Sequence, residues 1–101
     1  MSREDLQSRA NPETGHATVY FQGRVQGVGF RYTALAVARE FEVAGYVQNL
    51  PDGRVVVEAE GAPAELEAFI AAIEDRMQGY IRRTERSLRT RNRQFSGFSI
   101  R

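Results

Sequence analysis

No cysteine occurs in the 101 residues. That excludes a disulfide framework, a thiolate nucleophile and cysteine-ligated zinc or iron–sulfur centres. Histidine is nearly as scarce. His16 is the single one, which leaves nothing for a histidine-pair metal site or a two-histidine phosphotransfer. Lysine is missing altogether, so all 14 basic residues are arginine. A Walker-type phosphate loop and Schiff-base chemistry both need the absent ammonium group. No apolar run approaches the roughly 18–20 residues of a membrane span. Met1 to Ala10 contains no apolar signal core. These absences predict a soluble, cytoplasmic protein with no membrane partner. A dominant charge is lacking too. Fourteen basic against 13 acidic residues give a net charge of +1, which singles out neither nucleic acid nor an acidic partner.

What is present fits one domain. Hydrophobic residues make up 42% and charged residues 27% of the chain, ordinary globular usage. Residues 1–15 are polar and carry Asn11-Pro12-Glu13-Thr14-Gly15, which reads as an N-terminal arm before a domain over residues 16–101. Ala17, Val19 and Phe21 alternate with polar neighbours as a half-buried strand does, and His16 reads as a strand-edge residue. From Phe30 the period lengthens. Phe30, Ala34, Val37, Ala38 and Phe41 share one helical face, and the helix is expected to end near Phe41 to Val43. Residues 45–50 form a second strand, and Pro51-Asp52-Gly53 turns it into a third at Val55 to Glu60. Pro63 suits a first helical position, and Leu66, Phe69, Ile70, Ile73 and Met77 form the stripe that helix would bury. Tyr80 to Thr90 reads as an arginine-rich strand of unassigned register, and Phe98 with Ile100 reads as a closing strand. The order β-α-β-β-α-β predicts an α+β, ferredoxin-like sandwich. Its two helices lie on one face of a mostly antiparallel sheet.

The segment between the first strand and the first helix carries the chemistry. Gly23-Arg-Val-Gln-Gly-Val-Gly-Phe-Arg31 breaks the alternation with three glycines. Gly27 and Gly29 can adopt backbone conformations closed to other residues, which lets successive N–H groups turn inward around an anion. The helix that follows points its free N–H groups and positive dipole end at the same place. Arg31, in its first turn, can add a bidentate fork for phosphate oxygens. A cation there is unfavourable by the dipole argument, which tilts the reading toward a functional arginine. The plain alternative is a tight connection with Arg31 as a surface cation. The segment is not a dinucleotide fingerprint, because Tyr32 stands where a third glycine belongs.

Gly23 to Tyr32 closely resembles the first signature of the acylphosphatase family, and Gly45-Tyr-Val-Gln-Asn49-Leu-Pro-Asp-Gly53 resembles the second. Phe98 to Arg101 resembles the family's closing strand. The resemblance spans residues 16–101 and implies a ferredoxin-like enzyme that hydrolyses acyl phosphates to carboxylate and phosphate. No metal or cofactor is implied. By the same resemblance, Gln26, Gly27, Val28, Gly29 and Phe30 form a phosphate-binding loop acting through backbone N–H groups. Arg31 is then the catalytic arginine that grips the phosphate, and Asn49 positions the attacking water. Tyr46 replaces a tryptophan common in the second signature. Glu42 stands where many members end a helix with glycine, at a cost of roughly 1 kcal/mol if that position is left-handed.

Two other readings compete. Arg82, Arg83, Arg86, Arg89, Arg91 and Arg93 cluster near the C-terminus, and Tyr20 and Tyr46 are candidate stacking aromatics for RNA. The chain lacks an RNP-type aromatic motif, so no nucleic-acid partner is expected. A phosphate-binding module without catalysis is the other. The preferred reading is a monomeric enzyme whose partner is a small-molecule acyl phosphate. Asp52 reads as a turn former rather than a base. Nothing in the sequence names the acyl group.

Overall fold

The computed structural model describes residues 13–101. Five strands and two helices follow in the order β1 (Glu13–Gly23), α1 (Phe30–Ala38), β2 (Ala44–Asn49), β3 (Val55–Gly61), α2 (Pro63–Arg76), β4 (Ile81–Asn92) and β5 (Phe98–Ile100). The arm expected over residues 1–15 lies outside the described residues as far as position 12. Residues 13–15 belong to β1. One sheet forms with strand order β4-β1-β3-β2-β5. Its pairs are antiparallel except β2 with β5, which is parallel.

Alternation explains which face is buried. Ala17, Val19 and Phe21 of β1 point with Val47, Val55, Val57 and Ala59 into one apolar layer. Phe30, Ala34, Val37 and Ala38 of α1 and Leu66, Phe69, Ile70 and Ile73 of α2 close over it. The two helices pack on each other and on the same side of the sheet, the expected ferredoxin-like arrangement. Pro63 occupies the start of α2 and Met77 its end, as the stripe predicts. Among the described residues, no helix is long and apolar enough to cross a membrane.

Three expectations need correction. α1 stops at Ala38 rather than near Phe41 to Val43. The N–H groups of Arg39, Glu40 and Phe41 reach back three residues to Ala36, Val37 and Ala38, tightening the chain out of the α-helix. Phe41 still packs on Phe69, with ring centroids 6.3 Å apart. Glu42 adopts no left-handed conformation. Its N–H donates to the Glu65 carboxylate at 2.8 Å, so the exit from α1 is held by α2 and the glycine penalty does not arise.

The third is His16, which lies in an inner strand between β4 and β3 and is fully buried. The 93–97 loop folds back over this outer face of the sheet. Phe95 stacks on the imidazole at 6.2 Å, and the N–H groups of Gln94 and Phe95 donate to Glu60 at 2.9 Å. The arginine-rich segment is indeed a strand, and its register is now assigned. Leu88 opposes Ala17 and Arg86 opposes Val19, with an irregularity at Gln22/Gly23. β4 is an edge strand exposed along most of its length, held by its backbone ladder to β1 more than by burial.

Candidate active site

At the end of β1 the chain leaves the sheet through residues 24–29 and enters α1 directly. Gly27 and Gly29 take φ values of 76° and 80°, a left-handed region that favours glycine. Gly29 is the N-cap of α1, with no side chain to satisfy the first-turn N–H groups, and no acidic residue occupies that turn. The helix therefore opens toward solvent with its donors and positive dipole end uncompensated.

These donors face a small pocket. Val25, Gly27, Gly29 and Phe30 form one wall, and Arg31, Tyr32 and Asn49 complete it. Its volume is about 110 Å³. Since a water occupies about 30 Å³, this is room for a small group of a few non-hydrogen atoms. Arg31 and Asn49, from different elements, thus meet in one pocket. The Asn49 side-chain oxygen itself is buried from solvent and has no hydrogen-bond partner. Among the described residues it shares that state with His16 Nδ1 and Arg91 Nε on the outer face of the sheet. Among the described residues, Arg31 pairs with no carboxylate, whereas Arg54, Arg76, Arg83 and Arg86 each do.

The other expected loop residues divide by role. Val28 is half-buried against the apolar core. Gln26 is exposed, and its side chain turns away from the pocket to the β2–β3 turn, where Nε2 donates to the carbonyls of Leu50 at 2.8 Å and Arg54 at 3.0 Å. Sequence reasoning credited Gln26 with its backbone only, and did not find Val25 or Tyr32 at the pocket. Their signal was proximity to Arg31 and the glycines, which does not by itself tell lining from packing.

Asp52 is held within its turn. The Arg54 N–H donates to it at 3.1 Å and Arg54 Nε at 2.8 Å, and the backbone bond first, then the guanidinium, keeps its carboxyl below the usual carboxylate range. The aromatic candidates are engaged as well. The Arg54 guanidinium lies over Tyr20 at 4.5 Å and that of Arg101 over Tyr46 at 4.0 Å. Among the described residues, no group of three His, Cys, Asp or Glu side chains is placed to hold a metal ion.

Comparison with known proteins places this geometry in a family. The family model Acylphosphatase matches residues 17–100. The chain is 42% identical over 78 residues to an acylphosphatase of Methanospirillum hungatei, covering 77% of this chain and 84% of the relative. Among solved structures, an acylphosphatase from Bacillus subtilis superposes with a TM-score of 0.68 and 32% identity, covering 85% of this chain and 97% of that one. HypF of T. kodakarensis matches with a TM-score of 0.72 and 30% identity, covering 84% of this chain but 11% of that larger protein. With a matching signature at the helix N-terminus, a second at the end of β2 and a family match across the whole sandwich, the chain belongs to the acylphosphatase family.

Proposed function

We propose that this protein hydrolyses the carboxyl–phosphate bond of acyl phosphates, with Arg31 and the amides of residues 26–30 holding the phosphoryl group and Asn49 holding the attacking water. One observation carries the reading: Arg31 and Asn49, from different elements, line the same small pocket at the open N-terminus of α1.

The chemistry asks for no more than these groups. A carboxylate departs without needing a proton, so no general acid is required. The transition state of phosphoryl transfer is loose, and positioning with charge stabilisation supplies most of the catalysis. Charge-assisted hydrogen bonds from Arg31 contribute roughly 1.5–3 kcal/mol each. Asn49 is a poor base, so its amide orients water and the substrate phosphate takes the proton. Water adds its oxygen to phosphorus as the P–O bond to the acyl group breaks, releasing carboxylate and phosphate.

The test is hydrolysis of benzoyl phosphate by the purified protein with a chelator present. Turnover that survives the chelator and collapses in Arg31→Gln is the expected result. Phosphate binding without turnover by folded protein would instead favour a binding module.

A further inference from the structure

The strand order poses a problem for the site. The loop that carries Gly27, Gly29 and Arg31 leaves β1, while Asn49 ends β2, and β3 lies between these strands. Adjacent strands are about 4.8 Å apart, so the two halves emerge from strands about 9.5 Å apart. In-line attack needs the water on Asn49 and the phosphoryl group on the loop aligned far more closely than that separation guarantees. Neither half reaches the other through its own backbone bonds. The turn after Asn49 is closed on itself by Leu50 N–H to the Arg54 carbonyl at 2.8 Å and Gly53 N–H to the Leu50 carbonyl at 3.1 Å.

Gln26 spans the gap. Its Nε2 donates to both of the carbonyls that close the turn, one proton for each. We propose that the Gln26 side chain is a positioning residue that locks the phosphate loop to the Asn49 turn and sets the line of attack of the water. The two bonds start one residue before Gly27 and end one residue beyond Asn49 and one before β3, so they triangulate the loop against both strands. A methionine at this position keeps the length of the stem and loses both donors. The proposal rests on the hydrolytic reading above, in which the cradle and the water are held by separate elements.

That separation makes it testable. Losing two neutral hydrogen bonds is expected to lower kcat about tenfold in Gln26→Met. The loop amides and Arg31 remain, so the inhibition constant of inorganic phosphate is expected to move less than about twofold. In an Asn49→Ala background, where there is no held water to misalign, adding Gln26→Met is expected to cost less than about twofold in kcat. A loss of phosphate affinity in step with kcat would make Gln26 a cradle residue only. An equal loss with and without Asn49 would also overturn the proposal. The tie itself is read without turnover, by hydrogen exchange at the Leu50 and Gly53 amides. Faster exchange in Gln26→Met is expected, and unchanged exchange overturns the lock. Should the wild-type protein hydrolyse no acyl phosphate, the functional reading fails and the role in attack fails with it, whereas the exchange result still decides the tie.

Discussion

Two regions of this protein place polar groups in restricted space, and they do so in opposite ways. On the outer face of the sheet, His16 Nε2 lies 2.8 Å from Glu58, and its Nδ1 lies 3.7 Å from Glu60. The Tyr46 hydroxyl donates to Glu58, and Glu60 takes the N–H groups of Gln94 and Phe95 with Arg91 Nε at 3.9 Å. Both carboxylates there are met by donors of this chain, although His16 Nδ1 and Arg91 Nε make no hydrogen bond. At the N-terminus of α1 the reverse holds. The cap offers no side chain, and Arg31 meets no carboxylate among the described residues. Carboxylates met by donors of the chain build structure, whereas donors gathered at a pocket without an internal acceptor are left for a ligand.

The contrast is broken most severely by Arg31→Gln. Removing one preorganised charge-stabilising group typically costs about 10²–10³ in kcat. A loss of that size, with an unaltered unfolding midpoint, is expected in benzoyl phosphate kinetics. Glu60→Ala should do the opposite. It leaves the Gln94 and Phe95 amides without their acceptor, and a drop of roughly 3 kcal/mol in urea unfolding is expected. Activity per folded molecule should stay close to wild type, because the outer face lies across the sheet from α1.

Gly27→Ala tests the cradle more gently. Space around the glycine is open, so the effect comes from its φ of 76° alone. A left-handed alanine costs roughly 1–2 kcal/mol, and if the loop relaxes to avoid it, the affinity for inorganic phosphate should fall. The smallest effect is in pH. Burial would raise Glu58, but the Tyr46 hydroxyl and His16 outweigh it and hold its carboxyl below the usual value. Its contribution is present above the ordinary carboxylate pKa of 4.5 and is lost as pH falls through the folded value. Burial first, then Glu58, pushes the Tyr46 hydroxyl up to about 12 from 10.0. That contribution is full below pH 10 and is lost as pH rises toward 12. Glu58→Gln should flatten the acid limb of stability and Tyr46→Phe the alkaline limb.

Much of this was legible in the residues. Period-two runs in β1 and β3 and the i, i+4, i+7 stripe of α1 mark the apolar layer directly, because each depends only on local geometry and burial on one side. The two glycine positions and Arg31 were readable for the same reason, since a left-handed bend and a helix N-terminus are local features. His16 was not. A histidine beside an alternating run has no local sign of whether its outward face meets water, and the loop that covers it arrives about 80 residues later. The end of α1 was missed because three-residue back-bonds and a carboxylate from α2 replace the cap that a local reading expects. β4 showed its strand character but not its register, since an exposed edge strand has no buried set of side chains to fix it.

By itself, then, the sequence determined the elements, the side of the sheet that meets the helices, and the loop that offers a cradle, because periodicity, turn chemistry and φ preference act over a few residues. Only the tertiary structure decided that Asn49 shares a pocket with Arg31, that Gln26 ties their two elements together, and that His16 lies buried between two glutamates. Each of these is a contact across strands that are not neighbours in sequence, and such contacts are chosen by the packing of the whole sheet.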